Sequence, residues 1–141
     1  MAEIHAQLTA DCHYLGRFPL CHLLLTNDRN YPWFILVPDR ADVSEIYQLE
    51  AGDRELLMQE SCLLSKFLAD TFKADKLNVA ALGNQVPQLH LHHIVRYQSD
   101  AAWPWPVWGK VPAVAYSEQE LVDFRVLFEQ AKLPGCEISA G

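Results

Sequence analysis

Three of the chain's six histidines fall within four positions, in the stretch Q-L-H-L-H-H-I-V-R from Gln88 to Arg96. Imidazole exchanges a proton near neutral pH, and in its neutral form it serves as a metal ligand or a nucleophile. Along an extended strand successive side chains point to opposite faces. Gln88, His90 and His92 therefore share one face, while Leu89, Leu91 and His93 share the other. Two imidazoles and an amide converge, and the third imidazole joins the leucines. Three readings of that face stand side by side. The histidines are ordinary residues of a solvated sheet surface. Alternatively, His90 and His92 are two ligands of a metal, with Cys12, His13, Cys21 and His22 as further donors, although no cysteine pair has the C-x-x-C spacing of a zinc motif. In the third reading one imidazole attacks an electrophile and its neighbour stabilises the charge that develops.

Such a face needs elements to hold it. The apolar runs C-H-L-L-L-T-N (Cys21 to Asn27) and W-F-I-L-V-P (Trp33 to Pro38), separated by turn formers, predict an antiparallel hairpin. From Asp42 to Phe72, Leu56, Leu57, Glu60, Leu63, Leu64, Phe67, Leu68 and Phe72 recur at helical spacing, with Gly52 and Asp53 dividing a short helix from a long one. Leu77 to Leu82 and the histidine stretch predict a second pair of strands. A proline-rich segment carrying Trp103, Trp105 and Trp108 excludes regular helix, and its aromatics border either the cleft or a partner, or pack against the sheet. Ser117 and Glu120 form a capping box that opens a last helix with the stripe Leu121, Phe124, Phe128 and Ala131, ended at Pro134-Gly135. The fold class is α+β: a mainly antiparallel sheet of about five strands, one long helix and a C-terminal helix.

The totals set outer limits. With 141 residues and half of them hydrophobic, the chain is expected to form one domain spanning 1–141. The net charge of -7 argues against stable nucleic-acid binding through phosphate neutralisation. No apolar run approaches the roughly 20 residues that span a bilayer. The first residues lack a basic segment followed by an apolar run, so the expected location is cytoplasmic with reduced thiols.

The segment G-N-Q-V-P-Q-L-H-L-H-H-I-V-R, Gly83 to Arg96, resembles the signature of the histidine triad (HIT) family, which alternates histidine with hydrophobic residues after a G-Q-x-V-P-like turn. Leu77-Asn78, the hairpin ending in I-L-V-P and the long helix occur in the family's order, so the resemblance covers about residues 20–96, with 97–141 as a C-terminal loop and helix. The resemblance implies a HIT-like fold and a homodimer. It also implies attack on the α-phosphate of a nucleoside phosphate derivative, a dinucleoside polyphosphate or a phosphoramidate, through a covalent nucleotidyl-histidine. No cofactor is required. His90 falls at the nucleophile and His92 at the histidine that hydrogen-bonds the scissile phosphate. Asn78 and Gln85 fall at phosphate donors, and Asn27 or Asp28 where the family holds a ribose. Phe18, Leu20, His22 and Leu24 are candidate walls of the base pocket. Two positions depart from the pattern: Gln88 opens the triad in place of histidine, and Trp33 stands where a family histidine often precedes the second hairpin strand. These residues normally form an orienting relay behind the triad, and a glutamine cannot take up a proton. The alternative reading is therefore a nucleotide-binding regulatory protein with little turnover.

Overall fold

Branched and aromatic side chains in short runs favour a pleated, half-buried surface, and this chain supplies enough of them for a sheet with both faces covered. The computed structural model describes residues 2–141, in the order α1 (Ala6–Asp11), β1 (Cys12–Arg17), β2 (Cys21–Thr26), β3 (Trp33–Pro38), a 3-10 turn (Ile46–Gln48), α2 (Ala51–Phe72), β4 (Lys76–Ala80), β5 (Leu91–Arg96), α3 (Glu118–Ala131) and β6 (Glu137–Ile138). The strands form one sheet in the order β4-β5-β3-β2-β1-β6, with every neighbouring pair antiparallel.

Alternation along β3 and β5 divides the interior into two layers. Phe34, Leu36, Leu91 and Val95 face α2 and α3, where Leu57, Leu64, Leu68 and Phe128 complete the larger core. Trp33, Ile35, Val37 and Ile94 face the other way, under α1 and the 97–115 segment, with Leu8, Val86 and Val107. Both layers bury apolar side chains, so both faces of the sheet are covered. Glu60 locks α2 in place: its carboxylate accepts hydrogen bonds from the Leu20 and Cys21 N–H groups, each at 2.9 Å. The Ser117–Glu120 capping box is present at the start of α3.

Four expectations are corrected. The sheet has six strands where about five were expected, because β1 and β6 extend it beyond β2. Gly16 is what admits β6, since a Cβ there would lie 2.1 Å from the Glu137 carbonyl oxygen. Gly52 and Asp53 do not divide two helices but lie in the first turn of α2, and the break falls earlier, between the 3-10 turn and Ala51. Asp53 suits a first turn, where a carboxylate meets the positive end of the helix dipole, and it pairs there with Arg40 at 2.8 Å. Pro134-Gly135 lies beyond the end of α3, which stops at Lys132 in the left-handed conformation, φ 49°. Finally, β5 begins at Leu91, so Gln88 and His90 belong to the loop that enters it.

Candidate functional site

A cleft of about 670 Å³ opens on the α1 side of the sheet, and it contains His90 and His92. β5 aims His92 into this side and His93 into the helix layer, as strand alternation requires. His93 is fully buried, with Ser61 Oγ 2.7 Å from its Nε2 and the Leu91 carbonyl 3.0 Å from its Nδ1. A carbonyl oxygen only accepts, so Nδ1 carries the proton and Ser61 donates to Nε2. His93 is thus a packing residue.

The two cleft histidines hold their protons on opposite nitrogens. His90 Nδ1 lies 2.7 Å from the Gln88 carbonyl oxygen, which makes Nδ1 the donor and leaves Nε2 with its lone pair. His92 Nδ1 receives the indole N–H of Trp33 at 2.9 Å. An indole only donates, so His92 carries its proton on Nε2, which points to the Leu82 carbonyl at 3.3 Å. Burial, followed by the neighbouring His90, holds the His92 pKa down to about 4, so at neutral pH this ring is an uncharged donor. Trp33 and Trp108 press on it edge-on or tilted, with centroids 5.7 and 5.1 Å from its own. The rings of His90 and His92 are 4.9 Å apart.

The loop from Leu82 to Val86 forms one rim. A Cβ on Gly83 would come within 2.7 Å of the Val86 carbonyl and 3.2 Å of His90 Cε1, so only glycine lets this rim close on the His90 ring. Asn84 and Gln85 line the cleft from this rim, as do Asn27 and Asp28 from the end of β2. Asn27 Oδ1 accepts from Tyr116 N, and Asp28 Oδ1 from Asn30 and Val114. Leu8, Ile35, Val107 and Val111 supply an apolar wall. Cys12 also faces the cleft, but burial pushes its thiol up to about 11, so it is no nucleophile near neutral pH.

Several expected residues are placed elsewhere. The Gln88 amide is committed to the N-terminal segment, accepting from His5 N at 2.8 Å and donating to the Glu3 carbonyl at 2.9 Å. Asn78 does not line the cleft; its Oδ1 accepts from Arg96 at 2.7 Å, in the network that holds the 97–115 segment. Phe18 and Leu20 belong to the helix-side core, and neither His22 nor Leu24 reaches the cleft. Cys12 and Cys21 begin opposite strands of one hairpin, with Cys12 paired to Thr26, so the Cys-His dipeptides sit at opposite ends of β1 and β2. Sequence reasoning missed Leu8, Val107 and Val111, whose only signal is hydrophobicity in segments without periodicity.

Residues 7–99 match the HIT domain family. Among solved structures, a histidine triad protein from Marinobacter aquaeolei VT8 is 49% identical over 94% of this chain and 98% of its own, with a TM-score of 0.91. One from Bradyrhizobium japonicum is 43% identical over 91% and 96%, with a TM-score of 0.88. One from Sinorhizobium meliloti 1021 is 39% identical over 91% and 95%, also at 0.88. No curated protein matches.

Proposed function

The chain belongs to the HIT family, and from that premise we propose that it attacks the α-phosphate of a nucleoside phosphate derivative through a covalent nucleotidyl-histidine on His90. Members of the family are generally nucleotide hydrolases or transferases. The observation that carries the proposal is the opposed protonation of the two cleft imidazoles: His90 offers a lone pair at Nε2, and His92 offers a proton at Nε2.

Phosphoryl and nucleotidyl transfer need alignment and donors more than covalent help from the protein. His90 Nε2 attacks phosphorus in line with the leaving group, and His92 Nε2–H donates to a phosphate oxygen. Asn84 and Gln85 add neutral donors from the glycine rim. The apolar wall receives the base, and Asn27 and Asp28 lie where hydroxyls of a sugar would be held. Water then hydrolyses the His90 adduct, or another acceptor takes the nucleotidyl group. Two in-line displacements retain configuration at phosphorus.

The commitment of Gln88 to the N-terminal segment favours a second reading, a nucleotide-binding regulator with little turnover, because no side chain at the first triad position backs the nucleophile. One experiment separates them. The wild-type protein is mixed with a panel of dinucleoside polyphosphates and nucleoside phosphoramidates, quenched, and searched by mass spectrometry for a nucleotidyl adduct on His90. We expect the adduct and turnover, both abolished in His90→Ala while AMP binding persists. Binding of AMP without adduct or turnover would leave the regulator.

We further propose a homodimer formed along β4. This strand ends the sheet and presents Val79 nearly half exposed.

A further inference from the structure

We propose that Trp33 restricts this site to substrates whose leaving group departs as an anion, so that it cleaves nucleoside phosphoric anhydrides and not phosphoramidates of alkylamines. The inference rests on the nucleotidyl-histidine chemistry proposed above and adds the class of leaving group.

Trp33 is 8% exposed and its Nε1 is 2.9 Å from His92 Nδ1. Because an indole N–H has no acceptor function, His92 Nδ1 has to remain an unprotonated acceptor for this contact to exist. For His92 to act as a general acid it must be imidazolium, with protons on both nitrogens. The second proton would then confront the indole N–H, and burial opposes the charge as well. A neutral imidazole has only its Nε2 proton, and surrendering that one would leave an imidazolate. His92 can therefore donate a hydrogen bond but cannot transfer a proton.

No other group facing the ring replaces it. Trp33 packs on it from β3, Trp108 from the 97–115 segment and the Leu82 carbonyl from the glycine rim. His90 stands beside it as the nucleophile, and His93 points into the opposite layer. The cleft's carboxylates accept hydrogen bonds, Asp11 from Gln7 Nε2 and Asp28 from Asn30 and Val114. The Cys12 thiol is 4.0 Å from Thr26 Oγ1. Lys and Arg are absent from the lining among the described residues.

The bond changes then discriminate. With an anhydride, His90 Nε2 bonds to phosphorus as the bridging P–O bond breaks, and the electron pair leaves with an oxygen of a terminal phosphate. That anion is stable near neutral pH and needs no proton. In the second step water bonds to phosphorus, the pair of the N–P bond returns to His90, and the proton passes to solvent. With an alkylamide the pair would leave on nitrogen, which has to be protonated as the P–N bond breaks. The site holds no acid for that proton.

The test compares diadenosine triphosphate with an adenosine 5'-N-alkylphosphoramidate on the full-length protein. A missing general acid predicts kcat on the anhydride at least about 100-fold above that on the amide. Trp33→His restores a group that accepts as well as donates, and should narrow the gap at least about tenfold by raising the amide rate. Comparable turnover of both substrates by the wild type overturns the proposal and leaves the nucleotidyl-histidine reading standing. Turnover of neither substrate, with no adduct on His90, removes both.

Discussion

His92 and His93 are neighbours in sequence but lie on opposite faces of the sheet, one toward the cleft and one toward Ser61 in the helix layer. That division is legible in the sequence, because a strand's period of two assigns faces without further information. The destination of the Gln88 amide is not legible, since its partners Glu3 and His5 lie more than eighty residues away and belong to a segment with no periodic signal. Burial lowers the pKa of both histidines from 6.5 to about 4. The folded state then binds fewer protons than the unfolded one, so their contribution to stability is complete above pH 6.5 and is lost as pH falls toward 4. Glu60, whose burial raises its pKa, acts in the opposite sense and offsets part of the loss. Denaturant titrations should show wild-type stability falling between pH 7 and pH 5. His93→Gln, which keeps a partner for Ser61, should show a shallower fall, the remainder coming from His92 and from His22, whose pKa burial also lowers. An unchanged slope in this variant would exclude His93 as a source.

At the level of elements, the hairpin β2–β3, the long helix α2 and the capped helix α3 follow from local pattern, and each was legible. β1 and β6 were not. β1 carries Tyr14 on its exposed side and has an irregular register at Leu15, while β6 is two residues long and exists only by pairing with Gly16 and Arg17. The 97–115 segment forms no regular helix, as its prolines require, and its anchor lies in close sequence neighbours that carry no hydrophobic period. Arg96 and Asp100, 2% and 3% exposed, form a two-pronged pair at 2.8 and 3.1 Å. Asp100 also accepts from the N–H groups of Tyr97, Ala102 and Trp103. Removing one partner of such a pair leaves a buried charge, which costs about 3 to 5 kcal/mol. Asp100→Ala should lose stability of that order in urea. Because the same segment carries Trp108 against His92, its kcat should also fall under conditions where the protein remains folded. A variant as stable as wild type would show that the segment is held by its aromatics alone.

For the whole molecule, the sheet order leaves β4 and the two-residue β6 as the ends, and only β4 is long enough to pair with another copy. The proposed dimer predicts a sedimentation mass twice the 16.0 kDa of the chain, and Val79→Lys, which puts a charge on that edge, should shift it to the monomer. A wild-type monomer at micromolar concentration would rule the interface out. The contacts of Gln88 bear on the molecule at this scale as well. Chain ends ordinarily fray first and do so independently of the rest. Here Gln88 ties residues 3 to 5 to the segment that carries His90, and Ala2 N donates to Asp39. The tie continues into α1, whose Leu8 walls the cleft. Local opening of the amino-terminal stretch should therefore open the cleft as well, with the glutamine as the latch, and hydrogen exchange should show the amides of the two exchanging together.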